Sequence, residues 1–436
     1  QDEIKDDGGF SLERVDPDFV NCNNPENWRA SQSEQGGTPG ALNSINGEFE
    51  DVTAPQVESV SATANGLLIS FSEPMDLMAL TDVDNYEVDQ AVGIPLLALA
   101  NSKLADQVEL TFTQALDTNR IYLLSLRGLT DCFGNPLAGE AELRIPIGIP
   151  VPARLGDLLI NEVLFNPYTG GADFVEIANA GSNVLDLQDL LLGESLPASD
   201  TFFNADPVSE TSILLFPGEL ICLTADVASQ RRTYQTPPEA RFLEMSGFPS
   251  YDDAAGVVVL ASPDSLPFDR FEYLDDLHYP TLVNDDGVSL ERLSWFVPSQ
   301  EPSNWHSASS LVGYATPGYA NSQAQDLTQD EEEVFLGLEV FSPNLDGVDD
   351  LLPIHYQFDF VGANARVYIY DTRGNLIKRL QENLLLDPSP GVFFWDGFNE
   401  RDQKAPVGMY VVVFEVLNDD TGQRKVYRKV AVLADL

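Results

Sequence analysis

Short runs of alternating apolar and polar residues, separated by turn residues, constrain the fold of this chain more than any other feature. Such runs recur throughout the sequence, and long segments with helical periodicity are absent. Because successive side chains of a strand point to opposite faces, this pattern predicts half-buried strands. Examples are GLLISFS (66–72), QVELTFT (107–113), GVVVLAS (256–262) and ARVYIYD (365–371). The sequence therefore predicts an all-β protein, a series of β-sandwich domains joined by short linkers.

Changes in composition indicate where one sandwich ends and the next begins. The stretches 46–57 and 144–157 are polar or rich in proline, and 321–334 carries an acidic run without apolar periodicity. Segments of this kind are typical of connectors. The predicted organisation is a short piece at 1–50, sandwiches at 51–149, 152–322 and 335–436, and an acidic linker at 323–334.

The charge of the chain excludes two classes of partner. Seventy Asp and Glu residues stand against 23 Lys and Arg residues, for a net charge of −47. Such a chain is repelled by nucleic-acid phosphates and by anionic membrane surfaces, so we expect no nucleic acid as a partner. No apolar run reaches the roughly 18–20 residues of a membrane span, so we expect none. Solubility, cation binding and a salty environment all remain open as reasons for the acidity.

Cysteine and histidine are too few for the common site chemistries. Cys22, Cys132 and Cys222 are widely spaced, which argues against a disulfide scaffold and against a zinc site. A single Cys22–Cys132 bridge remains as an alternative. Nucleophile-elbow, zinc-protease and phosphate-loop motifs are missing, and only 3 His residues are present. We therefore expect that the chain is not an enzyme and that no cofactor other than calcium comes into question.

The segment 51–149 has the pattern of a spacer sandwich. Its residues Leu67, Ile69 and Phe71 alternate, which predicts one buried strand face. It resembles the bacterial Ig-like domain family in its TAPQV opening, its FSEPM strand end and its DCFGNPL closing turn. The resemblance implies an Ig-like structural module, with Glu73 and Asp76 as surface or turn residues.

The segment 152–322 carries several motifs in a fixed order. These are INEV (160–163), DFVEIAN (173–179), LDL (185–187), GVSLERL (287–293), SNW (303–305) and ATPGYANS (315–322). The segment is similar to the lamin tail domain family, whose pattern has these motifs in the same order. The resemblance implies an Ig-like sandwich, of a kind found in secreted bacterial proteins and often beside enzymes.

Glu162 and Glu176 in this segment admit two interpretations. A pair of carboxylates is the pattern of a glycosidase acid and base, which requires both groups to face an open cleft. The alternative is structural, because a charge near a core needs a partner, and Arg292 or local backbone amides would supply one. We favour the structural interpretation for Glu162, Glu176 and Arg292, and we expect Trp305 of the SNW motif to be structural as well.

The segment 335–436 contains FSPNLDGVDD, then VYIYDTRGNLI, then WDGFNERDQKAPVGMY, and ends in a basic strand. It resembles the C-terminal domain of gliding-motility-associated and other type IX secretion cargo of the Bacteroidetes lineage. Leu345 and Asp349 stand where that pattern has Gly and Asn. The resemblance implies export across the outer membrane to the cell surface or the medium. It also implies the type IX secretion machinery, or an outer-membrane receptor, as a partner.

The loop 342–350 is the candidate metal site. Asn344, Asp346, Asp349 and Asp350 surround Gly347, and oxygen ligands around a glycine turn suit calcium. The loop lacks the length and terminal Glu of an EF-hand. The alternative is a network of Asx turns, which the incomplete ligand set favours.

Two functions fit these features. The first is a non-catalytic extracellular or cell-surface structural or adhesion protein, with self-association or binding to other surface proteins. The alternative is the accessory C-terminal region of a larger secreted hydrolase or nuclease whose catalytic domain lies upstream.

The chain also contains an internal repeat. Residues 11–14 (SLER) match 289–292, Asn27-Trp28 match Asn304-Trp305, and Thr38-Pro39-Gly40 with Asn43 match Thr316-Pro317-Gly318 with Asn321. Residues 1–45 therefore look like the closing third of a second lamin-tail-like domain. Half a core does not fold alone, so we expect its remaining strands to come from a longer polypeptide or from another chain.

Overall fold

A computed structural model gives the fold of this chain and confirms the all-β prediction. The structure describes residues 8–17, 27–100, 105–118, 120–188, 190–197, 202–325, 332–358, 363–386, 390–418 and 423–435. Cys22, and with it the Cys22–Cys132 alternative, lies outside the described residues. The α-helices of the described residues are short, at Leu77–Thr81 and Val227–Thr233.

The chain divides into two units by its internal contacts. The first unit comprises residues 1–152, 183–186 and 212–214, and the second comprises 153–182, 187–211 and 215–436. The strands of residues 1–152, all in the first unit, are β1 (Leu12–Arg14), β2 (Trp28–Ala30), β3 (Val57–Thr63), β4 (Gly66–Phe71), β5 (Tyr86–Val88), β6 (Leu97–Ala100), β7 (Gln107–Thr111), β8 (Tyr122–Arg127) and β9 (Glu142–Ile147).

Strands β3 to β9 form a two-sheet sandwich. One sheet has the order β3-β4-β7-β6 and the other β5-β8-β9, and side chains from both sheets form a single apolar cluster. Leu67, Ile69 and Phe71 of β4 all point into this cluster, as their alternation predicts. Strands β1 and β2 form a separate antiparallel pair.

The next strands build the part of the chain around the candidate carboxylates. They are β10 (Leu158–Leu164), β11 (Phe174–Asn179), β12 (Leu185–Asp186), β13 (Leu191–Ser195), β14 (Phe202–Pro207), β15 (Leu214–Leu215), β16 (Leu220–Thr224), β17 (Phe242–Glu244), β18 (Ala255–Ala261), β19 (Pro267–Leu274), β20 (Leu290–Arg292) and β21 (Trp305–Ser307). One sheet has the order β17-β16-β11-β10-β20-β21, and a second has the order β14-β13-β18-β19. Every residue of β10 and β11 is buried, so these two strands form the centre of the larger sheet.

The C-terminal strands form another sandwich within the second unit. They are β22 (Val334–Leu336), β23 (Val340–Phe341), β24 (Leu352–Tyr356), β25 (Ala363–Asp371), β26 (Leu376–Leu386), β27 (Gly391–Trp395), β28 (Gly408–Asn418) and β29 (Gln423–Leu433). Sheets β22-β24-β27 and β23-β29-β28-β25-β26 enclose a core that includes Trp395, Phe341 and Phe414. We call residues 158–325 the middle module and residues 332–435 the C-terminal module.

Candidate functional site

Glutamates lie side by side on three adjacent strands of the middle module. The strand register places Glu162 of β10 opposite Glu176 of β11 and opposite Glu291 of β20. All three side chains are 0% exposed. Like charges directly opposite each other destabilise a sheet, and a buried charge is costly without hydrogen bonds. The hydrogen bonds of these carboxyl groups therefore determine which of them carries a proton.

Glu291 accepts hydrogen bonds that favour its ionised form and oppose the effect of burial, which raises its pKa. Its oxygens accept hydrogen bonds from the backbone N–H of Ser322 (3.0 Å) and of Gln323 (2.8 Å) and from the Thr316 hydroxyl (2.7 Å). Charge-assisted bonds of this kind stabilise the anion. The acid thereby holds the segment 316–323 against β20.

Glu162 shares the Thr316 hydroxyl with Glu291. Its Oε1 accepts from the Ser289 hydroxyl (2.5 Å) and from the backbone N–H of Thr316 (2.8 Å), and its Oε2 lies 3.1 Å from the Thr316 hydroxyl. A threonine hydroxyl has one proton, and Thr316 donates it to Glu291. We therefore expect Oε2 of Glu162 to carry a proton and to donate it to Thr316, because the Thr316 contact with Glu291 is the shorter of the two. Burial, and next the charge of Glu291, raise the pKa of Glu162, in agreement with this assignment.

Glu176 is also held by hydrogen bonds within the protein. It accepts from the side-chain amide of Asn161 (2.8 Å) and from the backbone N–H of Gly318 (2.5 Å). Burial, and next the charge of Glu162, raise its pKa well above the usual range. Neither Glu162 nor Glu176 is exposed, so the open cleft that an acid and base pair requires is not formed at these two groups.

Arg292 does not pair with these glutamates. Its guanidinium donates to the Asp269 carboxylate (3.0 Å), and also to the carbonyl oxygens of Ile160 (3.2 Å) and Val297 (2.7 Å). Glu291 lies opposite Glu162, on the same face of the sheet. Adjacent residues of a strand point to opposite faces, so the Arg292 side chain lies on the other face and does not reach the glutamates. The ion pair is buried, with side-chain exposures of 2% for Arg292 and 10% for Asp269.

Trp305 packs beside this ion pair. Its ring stacks on Phe271 with centroids 3.6 Å apart, and its indole N–H donates to the Ser299 carbonyl at 2.9 Å. Ser299 in turn accepts a hydrogen bond from Arg292 at 2.7 Å. Trp305 and Arg292 thus lie in one buried network.

The loop 342–350 has the hydrogen bonds of an Asx-turn network. Asp350 accepts from the backbone N–H of Asn344 (2.9 Å), Leu345 (2.6 Å) and Gly347 (2.6 Å), and from the side-chain amide of Gln323 (3.0 Å). In addition, Oδ1 of Asn344 accepts from the backbone N–H of Asp346 (2.9 Å), and Oδ1 of Asp346 accepts from that of Val348 (2.8 Å). These contacts correspond to the structural alternative of the sequence analysis. Calcium binding by Asn344, Asp346, Asp349 and Asp350 stays a prediction.

Another acidic cluster lies in the first unit. Carboxylate oxygens of Asp51, Glu73 and Asp131 lie within 4.8 Å of one another, close enough to share a cation. Asp131 accepts hydrogen bonds from the backbone N–H of Phe133 and of Asn135, both at 2.8 Å. These turn contacts account for its position, and we assign no ion to this cluster.

The loop 342–350 also packs on the middle module. The hydroxyl of Tyr279 donates to the Pro343 carbonyl at 2.7 Å, and the Tyr279 ring meets that of Phe398 edge-on at 5.1 Å. The backbone N–H of Ser310 donates to the Leu345 carbonyl at 2.9 Å. A second apolar cluster across the same contact consists of Leu293, Val297, Leu351, Val392 and Phe394. The middle and C-terminal modules therefore share a buried contact surface.

The internal repeat reappears as an equivalent set of hydrogen bonds. Glu13 accepts from the Thr38 hydroxyl (2.6 Å) and from the Ser44 backbone N–H (2.7 Å), as Glu291 does from Thr316 and Ser322. Three further hydrogen bonds also occur in both copies. The Asn43 amide donates to the Arg14 carbonyl (2.9 Å), as Asn321 does to Arg292 (2.9 Å). The backbone N–H of Ser31 donates to Ser11 (2.8 Å), as Ala308 does to Ser289 (3.1 Å), and that of Gly47 donates to Val15 (2.9 Å), as Gln325 does to Leu293 (2.7 Å). The described residues 11–17 and 27–47 thus have the hydrogen-bond pattern of their counterparts within 289–325.

Sequence reasoning missed Glu291, Asp269 and Tyr279 as residues of these networks. Glu291 was recognisable, because it is the repeated acid of the SLER motif and has a counterpart in Glu13. Asp269 and Tyr279 lie far from their partners along the chain and carry no comparable signal.

Several solved structures are distantly similar to this chain. One is a bacterial S-layer protein, SbsC domains 1–6, at 11% identity, covering 88% of this chain and 54% of that chain with a TM-score of 0.20. A second is a DUF4876 family protein from Bacteroides thetaiotaomicron, at 11% identity over 54% of this chain and 76% of that chain, with a TM-score of 0.22. A third is dimeric latent PorU from Porphyromonas gingivalis, at 12% identity over 88% of this chain and 34% of that chain, with a TM-score of 0.19. The chain thus spans about half the length of the S-layer structures it matches. At such TM-scores these likenesses carry no argument about function.

A search of curated proteins gave no match. Within the described residues, neither helix is long and apolar enough to cross a membrane.

A family model does match the C-terminal module. Residues 336–430 correspond to the CHU_C type IX secretion signal domain, which agrees with the motifs of this segment. The match covers β23 to β28, most of β29 and the last residue of β22, so it includes the loop 342–350 and strands of both sheets of the module. The chain therefore carries a signal for export to the cell surface or the extracellular space, and the type IX secretion machinery is its partner in that step.

Proposed function

We propose that this chain is a non-catalytic structural or adhesion protein of the cell surface or the extracellular medium. In this proposal residues 51–149 are a bacterial Ig-like spacer and residues 152–322 are a lamin-tail-like module. The C-terminal module directs export, and the exported chain associates with neighbouring copies or with other surface proteins.

The burial of Glu162 and Glu176 is the observation that carries this proposal. Both side chains are 0% exposed, and their oxygens bond to Ser289, Thr316, Asn161 and Gly318 inside the sandwich. A general acid and base must reach the substrate, and groups enclosed in this way do not. The pair therefore supports the sandwich rather than a reaction.

The test compares three forms of the chain in a bacterium that has type IX secretion. The full chain and its Glu162→Gln/Glu176→Gln variant should both reach the cell surface, because the export signal at residues 336–430 is the same in both. A form that ends at residue 334 should stay inside the cell. Surface labelling with an antibody against residues 51–149 measures the exported fraction of each form.

The non-catalytic part of the proposal needs a separate measurement. The purified full chain is assayed against polysaccharide, nucleic acid, peptide and ester substrates. Hydrolysis that disappears in the Glu162→Gln/Glu176→Gln variant would overturn the proposal. The intact mass of the native polypeptide tests the other function, since a hydrolase or nuclease domain attached upstream would make this chain its accessory region.

A further inference from the structure

The larger sheet of the C-terminal module has an apolar face that is not part of the module core. Alternate residues of β25 and β28, such as Val367 and Val412, point inward and are buried in the core. The residues between them point to the opposite side. The register places Tyr370 opposite Val411 and Val411 opposite Val430, so these side chains form a continuous surface across three strands. We call this surface the outer face; its apolar side chains include those of Tyr368, Tyr370, Val411, Val413, Val430 and Val432.

The apolar character of the outer face departs from that of an ordinary solvent-facing sheet. A sheet with one face on a core and the other in water carries polar residues on its outer side. In β28 the run MYVVV (409–413) is apolar at outward as well as at inward positions. Met409, at the end of the outer face, is 57% exposed, and Val430 is 56% exposed. Apolar residues on both faces are typical of strands that are covered on both sides, and exposed apolar patches mark interaction sites, so we expect a partner to cover the outer face.

The charged side chains of the outer face restrict the chemistry of this partner. Glu415 forms an ion pair with Arg424 at 2.5 Å, and Arg366 donates a hydrogen bond to the side-chain oxygen of Asn383 at 2.9 Å. Arg428 is exposed and has no ion pair or hydrogen bond within the part of the chain that the structure describes. The part of the face formed by β25, β28 and β29 is therefore cationic overall, although the whole chain has a net charge of −47. Its complement is an apolar surface with a carboxylate opposite Arg428.

A symmetric contact with a second copy of this chain is a poor match to the outer face. A two-fold contact places the same surface on both sides, so it would bring two cationic faces together. The remainder of the two chains would add the repulsion between two strongly acidic bodies. We therefore assign the outer face to a different protein.

The opposite broad side of the C-terminal module is already covered in the folded chain. Phe393 and Trp395 of β27 point into the module core, whereas Val392 and Phe394 of the same strand pack with Leu293 and Val297 of the middle module. The smaller sheet thus faces the middle module. A protein that recognises the C-terminal module in the folded chain is left with the outer face as its broad apolar surface.

We propose that the outer face is the surface through which the type IX secretion machinery binds this chain during export. Apart from Val432, its residues lie within 336–430, the segment that matches the secretion signal domain. The component that binds it presents aliphatic or aromatic side chains to the tyrosines and valines, and a carboxylate to Arg428. Burial of the apolar surfaces supplies the affinity, and the ion pair fixes the orientation. This inference rests on the export step of the proposed function and names the surface that performs it.

The test measures the surface-labelled fraction of full-length variants in a bacterium that has type IX secretion. We expect Val430→Glu to lower the exported fraction by at least about tenfold, because the new carboxylate would be buried in an apolar contact and would repel the partner's carboxylate at Arg428. Val283→Glu is the matched control, since Val283 is a fully exposed valine of the middle module, and its variant should be exported like the wild type. Arg428→Glu should lower export as well, whereas Arg428→Lys, which keeps the charge, should restore most of it.

Limited proteolysis of the retained chain establishes that it is folded. Val430→Glu should give the cleavage pattern of the wild type, because the side chain of Val430 points away from the core. Arg428→Glu removes no ion pair or hydrogen bond among the described residues, so it provides the same test if Val430→Glu unfolds.

Three outcomes would overturn the proposal. They are export of a folded Val430→Glu or Arg428→Glu chain at the wild-type level, an equal loss of export in Val283→Glu, and concentration-dependent dimerisation of the purified chain that Val430→Glu abolishes. The last result would assign the outer face to a second copy. The form that ends at residue 334 separates this proposal from the proposed function. If that form is exported, the assignment of the export signal fails; if it is retained while Val430→Glu is exported, the signal stands and the outer face is not its binding surface.

Discussion

The proton on Glu162 can be tested through the dependence of stability on pH. The Thr316 hydroxyl lies 2.7 Å from Oε1 of Glu291 and 3.1 Å from Oε2 of Glu162, and we expect its single proton to go to Glu291 and Oε2 of Glu162 to donate to it. Burial raises the pKa of Glu162 from its ordinary value of 4.5 to about 8. A raised pKa in the folded state means that the folded chain holds a proton that the unfolded chain releases. Its contribution to stability is therefore complete below pH 4.5 and is lost as the pH rises toward the folded pKa.

Glu162→Gln replaces the protonated acid by a neutral amide with the same donor and acceptor. The free energy of unfolding of the wild type should fall with pH relative to that of this variant, by up to about 1.4 kcal/mol per pH unit for the one proton concerned. At low pH the two chains should be nearly equal. The free energy is measured in the full chain from hydrogen exchange of the β10 amides, at a series of pH values from about 4.5 upward.

Glu291→Gln is the matched control, because Glu291 accepts from donors only. In either orientation the amide nitrogen of this variant faces the backbone N–H of Ser322 or of Gln323. We expect it to lower stability by about 1–3 kcal/mol at every pH. Two results would mean that Glu162 is ionised in the folded chain. One is a free energy of unfolding of Glu162→Gln that depends on pH as that of the wild type does, and the other is a destabilisation equal to that of Glu291→Gln.

Three further predictions concern the repeat, the module contact and the loop. Leu290→Ala should lower the free energy of unfolding by about 2–5 kcal/mol and Leu12→Ala should change it by less than about 0.5 kcal/mol, since only Leu290 of the two is buried. Chemical denaturation measures both losses, and equal losses would contradict the prediction. Tyr279→Phe removes the hydrogen bond to Pro343 and should weaken the module contact by about 1 kcal/mol, seen as faster exchange of the amides of loop 342–350. Asp350→Asn should lower the melting temperature equally with and without calcium, and a chelator should leave the wild type unchanged if the loop is an Asx-turn network. A melting temperature that rises with added calcium would favour the metal site instead.

The strands were predictable because alternation along the chain is a local property. The pattern of β4, in which Leu67, Ile69 and Phe71 share the buried face, is readable from six consecutive residues. The export signal was predictable for a similar reason, since its motifs lie in order within one segment that a family model also matches.

The partner of Arg292 was not predicted, although part of the answer was present in the motif. Glu291 and Arg292 are adjacent on one strand and so point to opposite faces, which excludes a shared partner. That Asp269 fills the position depends on how β19 packs beside β10, which is a tertiary property. The contact of Tyr279 with Phe398 is of the same kind, because it joins two modules through residues that no periodicity relates.

The contact between the middle and C-terminal modules bears on whether the export signal is a portable cassette. Leu345 and Phe398, which are 4% and 0% exposed, pack against Tyr279 of the middle module. Grafted onto an unrelated cargo, residues 332–435 would lose these contacts and those of Val392 and Phe394 with Leu293 and Val297, and we expect the apolar surface to become more exposed. Exposed apolar patches promote association and aggregation. A fusion that keeps residues 158–325 in front of the signal should therefore be more soluble than one that carries the signal alone.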